Sequence, residues 1–188
     1  MYPEYANIKG KEYKIDTDFS TALKCFEIVE DNTITDYERA LAIVYLIFDF
    51  IPTKDLDLFL EKAIAYLQCG KTYEEQNQNN KDMDFIQDKK YINSSFMSDY
   101  HIDLSKTKIH FWQFIDLLEG LTENSSLSRI RELRNYDTKQ IKDNKERKKI
   151  EDAQRQVALK NKRREKLTEE QEKSVNAFYE LTGIKRKE

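Results

Sequence analysis

The chain has 188 residues, of which 39% are hydrophobic and 36% charged, against about 45–50% and about 25% in an average globular domain. Only 4 Gly and 2 Pro exclude collagen-like and Pro-rich architectures and argue against a turn-dense β-sandwich. The formal net charge of −3 names no partner, and the composition reads as a soluble, cytosolic, mostly helical protein of one compact domain with an appendage, or two small domains.

Met1-Tyr2-Pro3-Glu4-Tyr5 has no basic run followed by an apolar stretch, so no signal peptide is expected. Ile8 before the Gly10 turn, with Tyr13 and Ile15 alternating after it, makes a small hairpin candidate. Asp16, Thr17 and Asp18 offer caps for a helix over 19–30 with Leu23, Phe26 and Val29 on its apolar side. The second helix starts at the Thr35–Glu38 capping box and ends before Pro52. Its apolar window, 40–51, carries Asp49 and is too short to span a bilayer, which needs about 20 apolar residues. Thr53 is expected to cap a third helix through Leu56, Phe59, Leu60, Ala63, Ile64 and Leu67, with Gly70 as its left-handed exit and the second helix as its hairpin partner.

From Lys71 to Asp84 the polar composition predicts a mobile loop. Tyr91, Ile92, Ser95, Phe96 and Tyr100 then follow helical spacing, a strongly apolar helix is expected over 108–121, and a shorter one begins at Ser125 or Ser126. Beyond residue 136 the character changes. Residues 137–188 hold 16 Lys+Arg and 11 Asp+Glu, whereas residues 1–136 hold 16 and 24. This places an acidic helical core domain at 1–136 and a basic helical tail at 137–188. The fold class predicted is all-α: a core of about five to six helices with the hairpin, then a long charged C-terminal helix over 138–166, supported by pairs such as Lys142–Glu146 and Lys148–Asp152. A short terminal helix follows from the Thr168–Gln171 capping box, with Val175, Phe178, Tyr179 and Leu181 on one side and Gly183 as its stop.

Chemistry-bearing patterns are sparse. Cys25 and Cys69 lie 44 positions apart in helical segments and read as reduced, buried, small hydrophobes. His101 and His110 are the only histidines, and their spacing does not place two metal ligands on one helical face. Asp55-x-Asp57 and Asp82-x-Asp84 have no Gly or later Glu to complete a calcium loop and read as solvated faces. No Gly-rich phosphate loop, nucleophile elbow or convincing Cys–His pair is present, and the Phe111, Trp112, Phe114 cluster reads as core. No enzyme, metal or cofactor is expected. The tail carries a thin apolar stripe, Ile150 and Val157 with Leu167 further on, flanked by Lys160, Arg163 and Arg164. A helix polar almost all round suits edge-on pairing with another helix, which makes these residues the candidate partner contact.

The order Tyr91-Ile92, Phe96, Tyr100-His101-Ile102-Asp103-Leu104, then Ile109-His110-Phe111-Trp112-Gln113-Phe114, Leu117-Leu118-Glu119-Gly120-Leu121, Arg134-Asn135-Tyr136-Asp137 and Lys142-Asp143-Asn144-Lys145-Glu146-Arg147 resembles the siphophage tail assembly chaperones. These are small helical proteins encoded beside the tape measure gene in phages and prophages of Gram-positive bacteria. Phe111 stands where a second Trp is frequent in that family, and His101 where Gly is frequent. The resemblance implies a non-catalytic protein that binds the phage tape measure protein in many copies and keeps it soluble in the host cytoplasm, absent from the mature virion. No membrane partner is expected. The rival readings are a self-assembling structural tail component and, third, a nucleic-acid-binding module through the basic tail, whose Lys and Arg runs are interrupted by Glu146, Glu151, Asp152 and Glu165.

Overall fold

The computed structural model describes residues 2–70 and 82–160. Strands β1 (Tyr5–Ile8) and β2 (Lys11–Lys14) form an antiparallel hairpin in which Ile8 faces Lys11. Lys9 and Gly10 both have positive φ, 52° and 82°, as the two-residue turn that matches strand twist requires. A two-stranded ribbon needs a surface to rest on. Here Ile8 and Ile15 are buried, and the Asp16 N–H bonds the Ile47 carbonyl at 2.7 Å, fixing the hairpin to the helices that follow.

Helix α1 (Phe19–Glu30) is capped by Asp18, and α2 (Asp36–Phe48) by the complete Thr35–Glu38 box, in which two hydrogen bonds from Thr35 hold the Glu38 carboxylate below its usual range. The buried face of α1 is Phe19, Thr21, Ala22 and Cys25; Leu23 and Phe26 are half-buried, and Val29 is exposed. Helix α3 (Leu56–Leu67) starts after Asp55, which sits in the left-handed region at φ 62°. The expected Thr53 cap is therefore two residues early. Cys69 and Gly70 both take left-handed φ after α3, and Cys69 is half-buried where a fully buried thiol was expected.

Helix α4 (Lys89–Tyr100) follows a turn organised by Asp84, whose carboxylate accepts the Ile86 and Gln87 N–H groups. Asp82 and Asp84 have defined hydrogen-bond partners, while residues 71–81 of the predicted loop lie outside the described residues. Helix α5 (Phe111–Glu119) is shorter than the predicted 108–121 because the chain is extended before it, where Phe19 N–H bonds the Ile109 carbonyl and Phe111 N–H the Thr17 carbonyl. Helix α6 (Ser126–Asn135) is capped by Ser125, and the buried Ser95 hydroxyl accepts its Leu127 N–H at 2.9 Å. The tail does not run as one helix from 138. A 3₁₀ turn at Thr138–Gln140 precedes α7 (Asn144–Val157), which starts at the Asp143 cap and ends at Ala158. Arg155–Asp152 at 3.2 Å is the ion pair within α7, in place of the expected Lys148–Asp152. The terminal helix predicted from Thr168 lies outside the described residues.

The fold is thus mostly helical, with a small N-terminal hairpin. Its core runs through α1, α2, α3, α4 and α5, and Phe114 is its hub, stacked on Phe19 at 4.9 Å and on Phe96 at 5.1 Å.

His101 closes α4 at φ 56°, with the Ile102 N–H reaching back to the Phe96 carbonyl. A side chain at this left-handed exit is strained where Gly is not. His101→Gly is expected to raise unfolding stability by about 1 kcal/mol, read as a higher urea midpoint at unchanged slope.

The turn after α4 supplies a pH-dependent element. Hydrogen bonds from Ser105, with Lys106 adding charge, lower the Asp103 carboxyl to about 2. A carboxylate lowered on folding contributes stability that is full above its unfolded pKa of about 3.9 and lost as pH falls through the folded value. Asp103→Asn is therefore expected to be less stable than wild type at pH 7. The gap should close between about pH 4 and pH 2, as followed by thermal melts.

Candidate functional site

Two features stand out: an apolar groove in the core and a basic helix, α7, docked on α6. The groove is built by α1, α2, α3 and α5 and has a volume of about 660 Å³. Phe111 and Ile43 are among the buried side chains lining it, with Phe26, Leu60 and Ile115 half-buried beside them. Val29, 42% exposed, and Ile64, 41% exposed, lie at its margin. Phe85 joins the lining, stacked on Phe26 at 5.2 Å, and Cys69 belongs to it as well. The polar edge is Arg39, which pairs with Asp36 and donates to the Ile28 carbonyl at 3.1 Å and the Asp31 carbonyl at 2.6 Å. Arg39 thereby ties the C-terminal end of α1 to α2 and keeps the groove's edge in place. The remaining surface is almost wholly hydrocarbon, which suits the apolar face of a helix better than a polar substrate.

The second feature is polar. Arg134 on α6 donates to both carboxylate oxygens of Asp88, at 2.7 and 2.8 Å, and also to the Asp82 and Val157 carbonyls. Arg131 pairs with the Asp82 carboxylate at 3.0 Å. The Asp88 hydrogen bonds raise the Arg134 guanidinium further above its already high value, so it stays charged. Asp82-x-Asp84 is thus no solvated face. Asp84 is buried, and Asp82 holds two arginines through its side chain and its carbonyl.

Helix α7 leans on α6 through the Gln154 amide, which donates to the Leu133 and Tyr136 carbonyls at 2.9 and 2.8 Å. Of the predicted partner residues, Ile150 and Val157 are half-buried on the same side of α7 as Gln154, so the thin stripe is turned toward α6. Lys160 is exposed, but its backbone is held at two points by the Gln87 side chain, at 2.8 and 3.1 Å. Arg163, Arg164 and Leu167 lie outside the described residues. The structure therefore brings Ile150 and Val157 together, and it reveals groove residues that helical periodicity identified only as apolar.

Other candidates for chemistry are occupied structurally. Cys25 is fully buried, and burial, with Asp16 adding, pushes its thiol up to about 12. His110 caps α5: its Nδ1 accepts the Trp112 N–H, and its Nε2 lies 3.0 Å from the Pro3 carbonyl. The neutral tautomer protonated at Nε2 satisfies both bonds. Phe111 and Phe114 are buried, and Trp112 is half-buried with its indole N–H on the Tyr66 carbonyl. Among the described residues no three His, Cys, Asp or Glu side chains are grouped to hold a metal ion, and no helix is long and apolar enough to cross a membrane.

No curated protein and no solved structure matches the chain. The family model described as Bacteriophage Gp15 protein matches residues 2–159, which takes in every helix and strand from β1 to α7. On that match, the chain belongs to the bacteriophage Gp15 protein family.

Proposed function

We propose that this phage protein is a non-catalytic tail assembly chaperone that binds the tape measure protein in the host cytoplasm and keeps it dispersed until the tail tube encloses it. The observation that carries the reading is the open apolar groove between α1, α2, α3 and α5, with Val29 and Ile64 at its margin. A tape measure chain is long and helix-rich, and its apolar stripes invite aggregation before assembly. A trough that accepts side chains at i, i+3, i+4 and i+7 covers such a stripe. Many weak copies along one client supply avidity without a single tight site, and can be displaced as tube subunits add. The order of motifs from Tyr91 to Arg147 supports the same reading.

The stripe of Ile150 and Val157, with Lys160, Arg163, Arg164 and Leu167, is a second proposed client contact. Its use requires α7 to leave α6, because Ile150 and Val157 are half-buried there. The groove's lining belongs to the core helices and not to α7, so it is assigned first.

Co-expression with the tape measure protein of the same phage tests the reading. Wild type is expected to keep that client in the supernatant, and Val29→Asp with Ile64→Asp to leave it in the pellet. Because both side chains are exposed, each substitution should change stability by no more than about 0.5 kcal/mol, and circular dichroism checks this. If capture runs through α7, Ile150→Asp with Val157→Asp abolishes it while the groove variant retains it. A client equally soluble without this chain overturns the proposal.

A further inference from the structure

We propose that the apolar groove is the docking site of the chain's own C-terminal segment, residues 168–183. Three observations converge on it. The groove presents Phe26, Val29, Leu60, Ile64 and Ile115 with no described residue covering Val29 or Ile64, and uncovered apolar patches of this kind mark binding surfaces. The path of the chain leads toward it. Lys160 is held at N–H and C=O by Gln87, two residues from Phe85, which lines the groove and stacks on Phe26. The eight residues from Lys160 to Thr168 reach up to about 26 Å when extended, ample from that point.

The segment also fits the site by its sequence. Val175, Phe178 and Tyr179 stand at i, i+3 and i+4 behind the Thr168–Gln171 capping box, the anchor spacing of a helix laid in an apolar trough. The segment lies beyond the family match, which ends at residue 159. A short tether gives an effective concentration in the millimolar range, so the segment of the same chain outcompetes that of a second copy at ordinary protein concentrations.

In the free protein, then, the groove is occupied by its own terminus, and the apolar lining is not offered to other chains. That a client helix must displace this segment rests on the chaperone reading above; the docking itself does not.

The two cysteines allow a test on the full chain without a client. Cys69 lines the groove, whereas Cys25 is wholly buried and serves as the slow internal control. Alkylation by N-ethylmaleimide, followed by mass spectrometry, is compared between wild type and Val175→Asp with Phe178→Asp. Where the segment docks nine-tenths of the time, Cys69 is expected to react about tenfold faster in the variant, since modification follows the open fraction. Protection of Cys69 in wild type should not depend on protein concentration. Equal Cys69 rates in the two proteins overturn the proposal. Protection that strengthens with concentration also overturns it, by making a second copy the occupant. If the rates are equal while co-expression still keeps the client soluble, this inference fails and the chaperone reading stands.

Discussion

Replacing Arg134 with methionine is expected to cost about 3–5 kcal/mol of unfolding stability, a range set by breaking a buried ion pair from one side. The Arg134 and Asp88 side chains are 10% and 1% exposed. Without the guanidinium, Asp88 keeps the Asp84 N–H as a hydrogen-bond donor but no counter-charge, and the Asp82 and Val157 carbonyls each lose a donor. Lysine does not restore the site, because one ammonium cannot present the planar fork that reaches four acceptors at once. In a chain of this length the loss corresponds to a fall of roughly 10 °C in melting temperature. Urea unfolding should show a lower midpoint with little change in slope. Arg134→Met combined with Asp88→Leu should recover much of the loss, since the uncompensated charge goes with its partner. An Arg134→Met protein within 1 kcal/mol of wild type would show that the pair is not the clasp its geometry indicates. The consequence extends to α7, whose Val157 carbonyl rests on the same arginine.

Much of the fold is legible in the sequence because its signals are local. Asp18, the Thr35–Glu38 box and Ser125 satisfy N–H groups within three residues of themselves, and Gly10 closes a two-residue turn. The misreadings have physical causes too. Asp82 and Asp84 look like solvated charge, because Arg131 and Arg134, which hold Asp82, lie some fifty positions away in sequence. His110 is not a preferred capping residue type, so its role at α5 appears only when Pro3 is brought to its other nitrogen. Propensity and opposite-charge spacing favour one helix through the tail, but the Asp137 and Asp143 carboxylates accept N–H groups just ahead of them and divide the run into a 3₁₀ turn and α7. The groove is set by tertiary arrangement. Periodicity marks Val29 and Ile64 as apolar, but whether another element covers them depends on how α1, α2, α3 and α5 are arranged.

Phe114→Ala is expected to be as damaging as the loss of Arg134, at about 3–5 kcal/mol, through lost transfer energy and the cavity left behind. Phe114 is fully buried and lies between Phe19 of α1 and Phe96 of α4, with Phe85 also in ring contact at 6.3 Å. No small shift of one helix fills that space, because three separate segments converge on the same ring. Phe114→Leu keeps most of the volume and should cost clearly less, so the ratio of the two losses in urea melts reports how far the site can collapse. The residue also sets a rule for testing function. Phe111, one helical turn earlier on α5, is both a groove residue and part of this packed layer. On the proposed chaperone reading, a change at Phe111 acts on client binding and the core together, and binding data from it do not separate the two. Val29 and Ile64 face the same groove from its exposed side. A loss of client capture there, with the melting curve unchanged, belongs to the groove alone.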